Sequence, residues 1–151
     1  MALDDDIRIL SGVNLFMGFT PEQLRLLAFG AESLKLSAGR DLYRGAEAAD
    51  AAYVVARGRI VLYRERGEER IDLEHAGAGV ILGELALIAD STRLTSARAE
   101  VDTELLRLNR KLFRRILEEY PELAMMLHDR IVAALQTMVE RIGDVAPKFA
   151  S

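Results

Sequence analysis

The spacing of apolar and polar positions changes twice along this chain, from helical to strand-like and back. Thr20-Pro-Glu-Gln23 forms a capping box with Pro21 at the first helical position, and Phe19 and Leu24 are spaced for a hydrophobic staple. A helix therefore starts here, runs through Leu24, Leu27 and Ala28, and stops by Gly30. From Leu34 onward, short β-segments are expected at Leu34–Leu36, Asp41–Tyr43, Tyr53–Ala56, Ile60–Tyr63 and Ile71–Leu73, punctuated by Gly39, Gly45, Gly58, Gly67 and Gly77. The stretch Gly45–Ala52 has helical propensity but is too short to hold a helix unaided, so it is assigned to a loop. Strand character resumes over Thr95–Val101 and Leu105–Leu108.

The helical period then returns. Asn109 is placed to cap a helix whose apolar positions are Leu112, Phe113, Ile116 and Leu117. Pro121 suits the first position of a second helix, which carries Leu123, Leu127, Ile131, Ala134, Leu135, Met138 and Ile142 before Gly143 closes it. Asp144–Ser151 reads as a frayed tail. Leu127, Ile131, Ala134, Met138 and Ile142 alternate spacings of four and three, the period of a coiled-coil seam. The pattern leaves two readings open, a seam between two chains or a stripe docked on the chain's own sheets.

No helix-length segment separates the strands, which argues against a βαβ sheet and for a closed sandwich or barrel. The expected fold is mainly β with flanking helices: a jelly roll (double-stranded β-helix) followed by a long C-terminal helix. One domain is expected over residues 1–151, with N-terminal helices over 1–30, a β-roll over 32–108 and C-terminal helices over 109–143.

Composition narrows the chemistry. The absence of cysteine removes disulfides, thiolate metal sites and Cys nucleophiles. His75 and His128 are far apart, without the spacing of a metal pair, so no metal is expected. A net charge of -4 and pI near 5.3 disfavour the DNA backbone as a partner. No apolar run approaches the roughly 20 residues of a membrane span, and the acidic Met1-Ala-Leu-Asp-Asp-Asp start is unlike a secretory signal. A cytoplasmic location is expected. The sequence shows no Ser/His/Asp set or other catalytic motif, so an enzyme is not expected. Arg110, Lys111, Arg114 and Arg115 read most simply as a solvated helix face, with a partner or phosphate-rich surface as the alternative, since their sign opposes the chain's net charge.

The chemically richest stretch runs from Gly79 through Gly83-Glu84-Leu85-Ala86-Leu87 to Arg93-Leu94-Thr95-Ser96. A glycine-flanked β-segment here turns into one helical turn, and an arginine follows across a short polar loop. Helix N-termini offer unpaired N–H donors and a guanidinium supplies a planar fork, so the pattern describes an anion site. The bland alternatives are a salt bridge from Arg93 to Asp90 and a helix-terminus role for Glu84. A carboxylate beside an anion makes sense when it accepts from a hydroxyl on the same ligand, as a sugar phosphate would provide.

On these residues the chain resembles the cyclic nucleotide-binding domain family, whose cassette reads Gly-Glu-Leu-Ala-Leu, a short loop, then Arg. Gly39, Gly45, Tyr53, Val55 and Gly58 fall where the family's turns and core positions lie. The resemblance implies that Arg93 grips the exocyclic phosphate oxygens with the N–H groups of Ala86 and Leu94 assisting, while Gly83 and Glu84 hold the ribose 2′-hydroxyl. The implied ligand-binding set is Gly83, Glu84, Leu85, Ala86, Arg93, Leu94 and Thr95. From Arg93 onward the match is nearest the sensor half of the bacterial catabolite activator (Crp/Fnr type). In that protein the corresponding long helix is a dimer seam, which implies a homodimer through Leu127, Ile131, Ala134, Met138 and Ile142.

Three departures matter. The polar Thr-Ser pair that contacts adenine in the activator is replaced by Met138-Val139, and Thr137, one residue earlier, is expected to face elsewhere. Leu94 stands where cGMP-preferring members often carry Thr, which favours cAMP over cGMP, although Thr95 follows one step later. Leu82 replaces the usual Phe before Gly83. A helix-turn-helix needs two further helices, which the eight residues after Gly143 cannot supply, so no DNA binding is expected of the chain by itself. The function implied is a stand-alone cyclic nucleotide sensor that relays occupancy through its last helix to a dimer mate or protein effector. The competing reading is a ligand-independent scaffold that pairs with itself or with a full-length regulator of similar sequence.

Overall fold

The computed structural model describes residues 2–145. Helices α1 (Ala2–Ser11) and α2 (Pro21–Gly30) lead into strands β1 (Glu32–Leu36), β2 (Asp41–Tyr43), β3 (Ala48–Ala49), β4 (Ala51–Arg57), β5 (Ile60–Arg66) and β6 (Glu69–Ala76). Strands β7 (Ile81–Leu82), β8 (Ser91–Thr92), β9 (Ser96–Ala99) and β10 (Thr103–Asn109) follow, then helices α3 (Arg110–Glu119) and α4 (Glu122–Val145). Two antiparallel four-stranded sheets are ordered β1-β10-β4-β7 and β2-β9-β5-β6, and β3 pairs with β8 as a small ribbon. This is the expected jelly roll with flanking helices.

Strand alternation divides the core in two. In the β4–β10 pair, Val55 lies opposite Leu105 and Val54 opposite Leu106. Val55 and Leu105 join Ile60, Leu62, Ala97 and Ala99 of the other sheet in the jelly-roll interior. Val54 and Leu106 belong instead to the cluster with Phe16, Leu27, Phe113, Leu127 and Ile131, where the helices pack on the outer face of the first sheet. Burial on both faces explains why Ala51–Val55 is an unbroken apolar run. Each large side chain fully buried at these positions contributes about 1.5–3 kcal/mol.

The predicted helix starts form as their chemistry requires. Thr20 Oγ1 accepts from Gln23 N–H at 3.2 Å while Thr20 N–H donates to Gln23 Oε1 at 2.8 Å, with Phe19 and Leu24 both buried. Asn109 Oδ1 accepts from Leu112 N–H at 2.8 Å and caps α3. No helix of the described residues is long and apolar enough to cross a membrane.

Several expectations need correction. Gly45–Ala52 is not wholly a loop: Ala48–Ala49 is β3, and Ala51–Ala52 opens β4. Pairing with Ser91–Thr92 and burial of Ala49, Ala51 and Ala52 override the local helical propensity of an alanine-rich stretch. Thr95 and Val101 lie outside the strands that flank them, and β5 and β6 run further than the segments predicted. Pro121 sits in a turn one residue ahead of α4. Gly143 does not close that helix, and Asp144 and Val145 continue it, because one glycine in a long helix costs only about 1 kcal/mol. The remainder of the predicted tail, 146–151, lies outside the described residues.

Candidate functional site

The site is built where β7 ends. After Leu82, Gly83 adopts φ 70° and ψ 31°, and the chain enters a 3-10 turn over Glu84–Leu87. Only glycine takes this left-handed geometry without steric cost. A loop and β8 then return the chain to Arg93. Its backbone is fixed, with Arg93 N–H donating to Glu47 C=O at 2.8 Å and Ala46 N–H donating to Arg93 C=O at 2.9 Å.

Arg93 is 7% exposed. Its Nη2 donates to Ala51 C=O at 2.8 Å, and its Cζ lies 4.2 Å from the Tyr43 ring centroid and 5.7 Å from that of Tyr53. Nε and Nη1 are buried without a hydrogen-bond partner among the described residues. Asp90, the acid proposed from sequence to neutralise this group, pairs with Arg110 instead. Two unsatisfied donors on a buried cation carry a desolvation cost that an anion would relieve.

Beside them lies a cavity of about 300 Å³. All seven residues expected at the site, Gly83, Glu84, Leu85, Ala86, Arg93, Leu94 and Thr95, line it. Glu84 is half-buried, and burial raises its carboxyl above the usual range; a hydrogen bond from its own N–H opposes this and nearby Glu74 adds to it. Thr95 is buried near the Tyr43 phenol, whereas Leu94 is 42% exposed. Burial drives the Tyr43 phenol well above its normal pKa, so Tyr43 stays neutral beside the guanidinium. Leu82 is buried in the jelly-roll interior, an apolar replacement the packing accepts.

Helix α4 forms the opposite wall through Ile131, Ala134, Leu135, Thr137, Met138 and Arg141. Arg141 Nη1 lies 3.0 Å from Glu74 Oε1, joining α4 to β6 at the cavity. Three site expectations change. The Ala86 N–H is engaged by Gly83 C=O at 3.1 Å, so in this conformation it is not free for an anion. Thr137 does not face elsewhere but lines the cavity, its hydroxyl donating to Ala133 C=O at 3.2 Å. Of the five positions read as a seam, Leu127 and Ile131 are 0% exposed within the chain's own core, Ala134 and Met138 line the cavity, and Ile142 borders a neighbouring groove.

Tyr43, Glu74 and Arg141 line the cavity without having been singled out for the site. Arg141 had a sequence signal, since Ala134, Met138 and Arg141 share one helix face by their i, i+4, i+7 spacing. Glu74 had none, because strand alternation does not reveal which polar residue borders a cavity.

The comparisons agree with this geometry. The family model described as cyclic nucleotide-binding domain matches residues 33–120. A lysophospholipase NTE1 of Pyricularia oryzae is 27% identical over 135 residues, covering 89% of this chain but only 9% of that protein. A cyclic nucleotide-binding-like protein from Brucella abortus is 59% identical with a TM-score of 0.70, covering 76% of this chain and 99% of that one. The catabolite activator protein of Thermus thermophilus is 27% identical with a TM-score of 0.74, covering 87% of this chain and 62% of that one. With a family match across more than half its length, around a cavity that holds the whole cassette, the chain belongs to the cyclic nucleotide-binding domain family.

Proposed function

We propose that the cavity takes a cyclic nucleotide, cAMP in preference to cGMP, and that the chain is a sensor and not a catalyst. The observation that carries this reading is the pair of buried donors on Arg93, Nε and Nη1, with no partner among the described residues. The exocyclic oxygens of a cyclic phosphate supply acceptors and a negative charge at once. Glu84 then accepts from the ribose 2′-hydroxyl, which offsets the cost of its desolvation. A volume of about 300 Å³ sits at the small end of ligand cavities. The preference for cAMP rests on Leu94, which has no hydroxyl to offer a guanine amino group. Neither histidine lines the cavity, so its hydroxyls have no imidazole beside them, which favours binding over catalysis.

Occupancy reaches a partner through α4, whose wall residues meet the ligand on one face. Beside the cavity Val139, 52% exposed, borders a groove with Leu94 and Ile142, a surface for a second copy or a protein effector. A cytoplasmic setting suits such a sensor. Calorimetric titration of cAMP and cGMP into wild type and Arg93→Ala tests the reading, with a loss on the order of tens to hundreds of fold expected. Equal affinities would remove Arg93 from the site. A thermal melt unmoved by either nucleotide, together with a stable dimer by sedimentation, would favour a ligand-independent scaffold.

A further inference from the structure

Arg110, the first residue of α3, belongs by sequence to a solvated basic face, yet its guanidinium turns inward. Nε donates to Ala86 C=O at 2.7 Å, Nη2 donates to Ala49 C=O at 2.5 Å, and Nη1 pairs with the Asp90 carboxylate. Its backbone N–H donates to Asp50 C=O at 3.0 Å. Ala86 ends the Gly83–Ala86 stretch of the site, Asp90 lies in the loop leading to Arg93, and Ala49 and Asp50 belong to the strip between β3 and β4.

Arg93 rests on the same strip. Its N–H bonds to Glu47 C=O and its Nη2 to Ala51 C=O. The carbonyls of Glu47, Ala49, Asp50 and Ala51 are thus divided between two arginines, one lining the cavity and one at the start of α3. We infer that Arg110 is a positioning residue for the anion site, holding the Gly83–Ala86 turn and the Asp90 loop in register with the strip that supports Arg93. Three acceptors in three directions suit a planar guanidinium and not an ammonium point charge. Since Arg110 borders no part of the cavity, it acts on the ligand only through these contacts.

The inference rests on the cyclic nucleotide reading, so cAMP is the probe. Arg110→Met removes all three arms, Arg110→Lys keeps the charge, and Asp90→Asn weakens one arm at an exposed residue. At a temperature where each variant is fully folded by circular dichroism, Arg110→Met binds cAMP roughly 3- to 30-fold more weakly than wild type, with Arg110→Lys and Asp90→Asn in between. Arginine-detected NMR adds a readout that a purely stabilising role would leave still: the Arg93 Nε–H resonance of the ligand-free protein shifts in Arg110→Met. Wild-type affinity with an unshifted Arg93 resonance overturns the inference while leaving the cyclic nucleotide reading intact. If Arg110→Met does not fold, wild-type affinity in Arg110→Lys overturns it equally. A wild type that binds neither cAMP nor cGMP overturns both.

Discussion

A β-carbon on Gly83 would overlap Arg93 Nη1, so the glycine is what lets the guanidinium lie against the start of the cassette turn. Gly83→Ala therefore acts twice. The left-handed backbone costs about 1–2 kcal/mol with a side chain present, which lowers the melting temperature. The overlap also pushes the arginine from its place. Since a hydrogen bond to a charged group contributes about 1.5–3 kcal/mol, cAMP affinity falls on the order of tenfold or more. Thermal melts and calorimetry on the same preparation separate the two effects. A lower melting temperature with unchanged affinity would show that Arg93 yields without consequence.

Arg93→Met should weaken binding without weakening the empty protein. The arginine contributes one hydrogen bond to Ala51 and its stacking on Tyr43, but it leaves Nε and Nη1 buried and unpaired. Replacing such a cation with an apolar side chain of similar length is neutral or stabilising. Ligand-free Arg93→Met is expected to melt at or above the wild-type temperature and to show no shift with cAMP. A clear drop in the ligand-free melt would mean that the guanidinium is chiefly a structural element.

The sequence exposed those features that local chemistry determines. The Thr20 and Asn109 caps depend on residues a few positions apart and formed as read, the strands formed in the order expected, and the Gly83–Arg93 cassette residues meet at one cavity. What stayed hidden depends on tertiary partners. Gly45–Ala52 became part of two strands because Ser91–Thr92 and the buried alanine contacts, not its own propensity, decide its state. The stripe from Leu127 to Ile142 has one period, yet Leu127 and Ile131 are core, Ala134 and Met138 wall the cavity, and Ile142 borders the neighbouring groove. Periodicity identifies a face without naming what it meets. Arg110 was hidden in the same way, since four basic residues in six look solvated until one finds two backbone carbonyls and the Asp90 carboxylate.

Asp41 gives a pH-dependent test away from the cavity. Burial alone would raise its pKa, but hydrogen bonds from Arg98, at 3.0 Å, and the Tyr63 hydroxyl, at 2.8 Å, outweigh it and hold the carboxyl below 3.8. A group whose pKa is depressed by folding stabilises above its unfolded value, and that contribution is lost as pH falls through the folded value. Asp41→Asn should thus cost about 1–2 kcal/mol near neutral pH. The gap between the two proteins should close only below pH 3.8, as wild-type Asp41 protonates. Urea melts across that range check it, and a gap that persists undiminished at the acid end would show that charge is not the source.

Helix α4 is held unevenly, and that should show in the rate at which ligand leaves. Leu123, Leu127 and Ile131 anchor its first half in the core, whereas the half that walls the cavity has Met138 against the interior cluster and the Arg141–Glu74 pair at 3.0 Å. Both partners of that pair are partly exposed, so it is worth about 0–1 kcal/mol and weakens with salt. Arg141→Ala should therefore speed cAMP dissociation about two- to fivefold in stopped-flow displacement, with little change in the melt. Raising ionic strength from about 50 mM to about 0.5 M should accelerate release from wild type and leave the variant nearly unmoved. Charge reversal at both positions, Glu74→Arg with Arg141→Glu, should recover part of the slow release. If wild type and Arg141→Ala respond to salt alike, the ion pair does not retain the ligand.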